Sequence, residues 1–214
     1  MATNSKSYHH GNLKEVLLDA AENQLASDGI NRLSLRGIAK LSGVSHNAPY
    51  RHFKDKSALL RAIAERGFNE LRKTVAAAAA ADGPTEQRLI DAGVAYVRLA
   101  LANPDRTRLM FAGSLEGAGE DAEFQAAANS AFMGLMGLVE SGVEQGIFFG
   151  DPGELALTAW SGVHGFSLLL LSGSALREAD DSQRLQMARQ VAARIVNGLM
   201  RKSSMRTAPE SPSS

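Results

Sequence analysis

The residues best suited to chemistry lie in one short stretch, GVSHNAPYRHFK (43–54), with Arg36 upstream and Lys56 just beyond. His46, Asn47, Tyr50 and His52 crowd a segment that also holds the core-forming types Val44 and Phe53. An arginine fork matches guanine O6 and N7, an asparagine amide matches adenine N6 and N7, and an alanine methyl such as that of Ala48 touches thymine. Tyrosine and lysine donate to phosphate oxygens. No hydrolytic or redox set accompanies them. The 214 residues include no cysteine, and no carboxylate pair, metal-spaced cluster or nucleophile–base pattern surrounds the histidines. No cofactor and no metal is expected.

Such groups act only if rigid elements present them. Leu13, Val16, Leu17, Ala20, Ala21 and Leu25 recur at helical spacing and stop at Asp28-Gly29. Leu35, Ile38, Ala39 and Ser42 make a second, shorter helix with Ser34 as its N-cap. Gly43 supplies a left-handed turn. Ser45 is placed to cap a third helix, with Pro49 in its first turn. A fourth helix begins near Asp55 and runs through an alanine-rich stretch to the break at Asp82-Gly83-Pro84. Beyond it, helices are predicted near 85–102, 104–113, 122–146, 153–172 and 181–201, with Asn103-Pro104 and Asp151-Pro152 as starts. No strand pattern appears, so the fold class is all-α. The chain divides into an N-terminal arm (1–11), a three-helix head (12–55), a helical body (56–202) and a disordered tail (203–214).

The net charge of zero conceals an asymmetry. Residues 1–75 hold 12 Lys and Arg against 7 Asp and Glu, so the rest of the chain is acidic by the same margin. Four of the five histidines, His9, His10, His46 and His52, lie in the basic part. A basic head on an acidic body suits nucleic acid as a partner. Within the arm, Lys6, His9 and His10 either follow the DNA backbone or have no fixed role. The absence of thiols suits a cytoplasmic location. The most apolar segment, 155–173, is interrupted by Thr158, Ser161, His164 and Ser167 and reads as a buried helix, with no membrane as a partner.

Two short helices joined by a glycine turn inside a basic unit describe a helix-turn-helix, whose second helix enters the major groove. SLRGIAKLSGVSHNAPYRHFKDKSALL (34–60) resembles the DNA-binding signature of the tetracycline-repressor (TetR) family of bacterial transcription regulators. The matching elements are Ile38-Ala39, Gly43-Val44-Ser45, Tyr50, His52-Phe53, Lys56 and Leu59-Leu60. The resemblance implies a homodimeric repressor on double-stranded operator DNA, released by a small-molecule effector bound in the body. It implies that Tyr50, His52 and Lys56 contact phosphates. Ser34 and Ser45 are phosphate contacts, caps or both, and His52 alternatively braces the unit. Base reading falls on Arg36, His46, Asn47 and Ala48. Asn47 and Pro49 stand where the family often has glycine and a larger apolar residue, so the operator sequence does not follow from the resemblance.

In the body, W-S-G-V-H-G (160–165) resembles the Trp/His/Gly pattern of one C-terminal subclass. Met110, Phe111, Phe124, Phe132, Met133, Met136, Trp160 and His164 are the candidates to line an effector cavity, with ordinary core as the competing role. Ser161, Gly162 and Gly165 would admit another helix closely. Leu185, Ala188, Ala192, Ile195 and Leu199 share one face of the last helix. Together these two helices are expected to make an isologous four-helix interface, or else to be buried within one chain. The competing function classes are a DNA-binding dimer without an effector switch, a nonspecific DNA-architectural protein, and a helical enzyme using His164.

Overall fold

A computed structural model describes residues 13–113 and 115–200. The proposed N-terminal arm and tail lie outside the described residues. Every regular element among those described is helical. In order these are α1 (Leu13–Arg32), α2 (Leu35–Leu41), a 3-10 helix (Pro49–Arg51), α3 (Lys56–Ala79), α4 (Thr85–Ala102), α5 (Pro104–Met110), α6 (Ala122–Glu144), α7 (Pro152–Leu171) and α8 (Asp181–Leu199).

The chain forms two compact units. One takes in the residues up to Arg72 and Ala102–Ala131. In it, α1 buries Leu17, Leu18, Ala21 and Leu25 and packs on α2, which buries Leu35, Ile38 and Ala39. The expected stop at Asp28-Gly29 is a break within α1: Gly29 adopts φ 77° and ψ 170°, and helical turns resume to Arg32. Phe68 of α3 meets Phe111 and Phe124 edge-on at 5.4 and 5.7 Å. Asp121 starts α6 by accepting the Phe124 N–H at 3.1 Å. That bond, and after it the Arg61 side chain, hold the Asp121 carboxyl below its ordinary range.

The second unit comprises Lys73–Leu101 and the residues from Phe132 on. Its core gathers Leu89, Ala92, Leu138, Val139, Phe148, Ala156, Ala159, Val196 and Leu199. The break after α3 is closed by Arg88, which donates to the Ala79 carbonyl at 2.8 Å and to Thr85 Oγ1 at 2.7 Å. Asp151 caps α7 through the Glu154 N–H at 3.0 Å, and Asp180 caps α8 in a reciprocal capping box with Gln183. Asn103-Pro104 starts α5 as predicted, with Asn103 at the N-cap position and its carbonyl accepting the Thr107 N–H at 2.9 Å, but without a side-chain capping bond.

The two C-terminal helices pack on each other within the chain. The α8 face expected at an interface turns inward: Ala188, Ala192 and Leu199 are buried, and Leu185 and Ile195 pack against the same cores. Gly162 is where α8 crosses α7, since a β-carbon there would collide with Ile195 Cδ1. Gly165, by contrast, faces open space. Helix α7 is not the buried helix its sequence suggests. It is long and apolar enough to cross a membrane by length and composition alone, yet most of it is not buried in the chain.

Candidate nucleic-acid interface

Local chemistry explains why the polar residues of 43–54 gather on one surface. Ser34 caps α2, its Oγ accepting the Gly37 N–H at 3.1 Å. This leaves the exposed Arg36 side chain in the first turn of α2. Gly43 takes φ 66°, a left-handed conformation glycine adopts without strain, and turns the chain back beneath α2. The Val44 N–H then returns to the Ala39 carbonyl at 3.1 Å.

A continuous third helix was expected from Ser45. The structure instead winds two short turns. The Ala48 N–H bonds the Ser45 carbonyl at 2.9 Å, and Pro49–Arg51 forms a single 3-10 helix without a side-chain cap. Pro49 is the physical reason. It has no N–H to return to Ser45, and its ring crowds that carbonyl, so the regular i to i−4 ladder cannot pass through it. The Phe53 and His52 N–H groups both close on the Pro49 carbonyl at 2.9 Å.

Pro49 and Phe53 are buried and fix this turn to the core, while Ser45, His46, Asn47 and Tyr50 are exposed and Ala48 and Val44 are intermediate. Arg36, His46, Asn47 and Tyr50 line a single open concavity of about 570 Å³. Three predicted base readers and one predicted phosphate contact thus share one surface. His52 is exposed with its ring tilted against Phe53, centroids 6.3 Å apart. Lys56 begins α3, where its Nζ donates to the Asn31 carbonyl at 3.3 Å, tying α3 to the end of α1. Asp55 caps that helix by accepting the Ala58 N–H at 2.8 Å. Sequence reasoning passed over Arg51 and Lys54, which stand exposed beside Tyr50 and Phe53. Their signal was their charge within the same short stretch.

The effector candidates fall into both units. Met110 and Phe124 are buried in the first, where Phe111 joins Phe124 around Phe68. In the second unit Phe132 and Trp160 lie 5.6 Å apart, Trp160 and His164 5.9 Å apart, and Met136 packs against the core. Met133 is exposed. The structure adds Tyr96 of α4, whose hydroxyl lies 2.7 Å from His164 Nδ1. Burial raises the Tyr96 phenol, opposed by a hydrogen bond from Trp160, and burial lowers the His164 imidazole. An indole N–H only donates, so the Tyr96 oxygen accepts from Trp160, and the direction of the Tyr96–His164 bond follows the imidazole tautomer. No local motif could pair Tyr96 with a histidine 68 residues away.

A basic, solvent-facing helix-turn-helix followed by an all-helical body is the architecture of a DNA-binding transcriptional regulator. The sequence model for bacterial regulatory proteins of the tetR family matches residues 17–63, and that of the tetracyclin repressor-like C-terminal domain matches residues 89–193. The chain belongs to the TetR family of transcriptional regulators. A protein with unknown function from Rhodococcus sp. RHA1 has a solved structure with 33% identity and a TM-score of 0.77, covering 92% of this chain and 100% of that one. The TetR family regulator PfmR from Thermus thermophilus shares the fold, with 21% identity, a TM-score of 0.64, and coverage of 86% and 99%. The HTH-type transcriptional repressor BepR of Brucella suis biovar 1 (strain 1330) is 28% identical over 98 residues, 46% of this chain and 47% of BepR. The chain thus spans about half the length of that curated relative. The family and its fold are those of non-enzymatic regulators.

Proposed function

We propose that this regulator is a homodimeric repressor that reads a palindromic operator and leaves it when an apolar or amphipathic small molecule binds its body. The observation that carries the operator reading is the shared concavity of Arg36, His46, Asn47 and Tyr50, held outward by the buried Pro49 and Phe53. Arg36, His46, Asn47 and Ala48 contact bases. Ser34, Ser45, Tyr50, His52 and Lys56 contact phosphates, with Arg51 and Lys54 added by their exposure. The resemblance of the chain to a named repressor over 98 residues supports repression.

The exposed stripe of α7 supports the dimer. Leu157, Ser161, Gly165, Leu168 and Leu169 combine small and apolar groups on an outward face of one helix. For the effector, the reading centres on Phe132, Trp160 and His164, where Tyr96 adds a polar group within an aromatic set, and the Trp160-His164-Gly165 pattern belongs to the same segment. Effector and operator must then oppose each other reciprocally. A panel of amphipathic compounds, screened by fluorescence of the single tryptophan and titrated with and without operator duplex, tests the switch. At least one compound is expected to bind tenfold more weakly when operator is present. Equal affinities for every compound that binds would leave a DNA-binding dimer without a switch.

A further inference from the structure

Arg106 of α5 is a buried cation, 7% exposed, that lies between a carboxylate of α1 and one of α3. Its Nη1 donates to both oxygens of Glu22, at 3.1 and 3.2 Å, and its Nη2 donates to Glu70 Oε2. Helix α5 reaches this place because Gly67 of α3 leaves room. A β-carbon there would collide with Met110 Sδ and lie 3.3 Å from Arg106 Cδ. A second arginine, Arg66 of α3, also reaches α1, 2.6 Å from Asp19, 3.7 Å from Glu15 and 3.8 Å from Glu22. Arg66 is about a third exposed, so water and salt screen its pairs far more than those of Arg106.

We propose that Arg106 is a positioning residue for operator binding, holding α1 and α3 in one fixed relation through simultaneous bonds to Glu22 and Glu70. Helix α1 packs on α2, and α2 packs on the 3-10 turn. A rotation of α1 against α3 therefore carries Arg36 and the reading turn with it. That rotation must break a charge-assisted bond at a buried guanidinium and leave a carboxylate without its cation. Lysine cannot replace the arginine here, because its single ammonium lacks the planar fork that meets two carboxylates at once. The inference rests on the head being the operator-reading unit proposed above.

An ion pair that serves stability alone would lower unfolding temperature and operator affinity in step. Two variants separate that role from positioning. Arg106→Lys keeps the charge and loses the fork. Arg106→Met combined with Glu22→Gln removes the buried cation and the α1 carboxylate together, while Glu70, nearly half exposed, is left to water. Thermal unfolding is measured first. Affinities follow, well below each midpoint, on the duplex that the wild type enriches from a random pool and on an unrelated duplex. The double variant is expected to unfold within a few degrees of wild type yet bind the enriched duplex tenfold or more weakly, about 1.4 kcal/mol. Its affinity for the unrelated duplex should change threefold or less, because the phosphate contacts survive, and Arg106→Lys should fall between. Wild-type affinity of either folded variant for the enriched duplex overturns the proposal, as does an equal loss on both duplexes. Should the double variant fail to fold, Arg106→Lys decides alone, with circular dichroism verifying its helices. A wild-type protein that enriches no sequence would overturn the operator-reading assignment itself, before any variant is compared.

Discussion

In the turn over residues 43–53, Pro49 and Phe53 point inward while His46, Asn47 and Tyr50 point outward. In α7 the sorting is partly reversed. Ser167 is buried, donating to the Val163 carbonyl at 2.9 Å, whereas Leu157, Leu168 and Leu169 are exposed. Polar groups held outward by a buried anchor suit a polar, hydrated partner such as a DNA groove. Apolar groups held outward suit a partner that removes them from water, at roughly 25 cal/mol for each Å² covered. The two surfaces thus ask for different partners, and on the present reading these are operator DNA and a second copy of the chain.

The largest effect is expected at Gly165. Its β-carbon position meets nothing within 4 Å in its own chain, so Gly165→Glu is expected to fold normally and to expose the charge only to a partner. Sedimentation should show a monomer, and operator affinity should fall by about 10²–10⁴-fold, the usual value of linking two binding modules. A dimer of wild-type stability would remove α7 from the interface. Gly162→Ala gives the internal control. Its methyl displaces chiefly the Cδ1 end of Ile195 on α8, while alanine gains about 0.5–1 kcal/mol of helix propensity. The unfolding free energy should therefore change by about 1 kcal/mol or less, and the oligomeric state should stay unchanged.

Substitutions in the turn should have smaller effects, confined to DNA binding. Asn47→Ala is expected to lose about 1–3 kcal/mol of discrimination at one base position in each half-site, with other positions unchanged. Lys56→Ala should weaken all duplexes alike and reduce the salt slope by about one. Lys56 also bonds the Asn31 carbonyl, so an unfolding midpoint that falls while the salt slope stays constant would assign it to bracing instead.

The smallest effect expected is on the pH dependence of stability, and it belongs to the body. Burial lowers the folded-state pKa of His164 below its value in the unfolded chain. Between those two values the unfolded state binds the extra proton, so stability is fully present above the ordinary histidine range and falls as pH drops through it. Thermal unfolding measured from pH 8 to pH 5 should show this slope in the wild type and a shallower one in His164→Asn. Identical slopes would mean that the Tyr96–His164 pair contributes nothing to it.

Legibility in the sequence followed how local each interaction is. The Ser34 cap, the Gly43 turn and the Asp151-Pro152 start depend on neighbours within a few residues, and each is where the spacing predicted it. A continuous third helix is expected because a proline in a helix's first turn costs least, yet here the missing Pro49 amide stops the ladder and only a 3-10 turn forms. The inward turn of the α8 face was undetermined, since an apolar stripe looks the same whether its cover is its own chain or another. Tyr96 beside His164 and Arg106 between Glu22 and Glu70 join positions far apart in sequence. Only the packing of α4 with α7, and of α1 and α3 with α5, makes those pairs visible.

Selection of duplexes from a random pool by the wild-type protein, followed by sequencing, decides whether this chain is an operator-reading dimer. An operator-reading dimer should enrich an inverted repeat whose half-sites lie one helical turn, roughly 34 Å, or a multiple of it apart. The same selection with Asn47→Ala should keep the spacing and relax one position in each half. A pool that stays random would rule out sequence-specific reading, and an enriched motif with no inverted symmetry would rule out a two-fold dimer on the DNA.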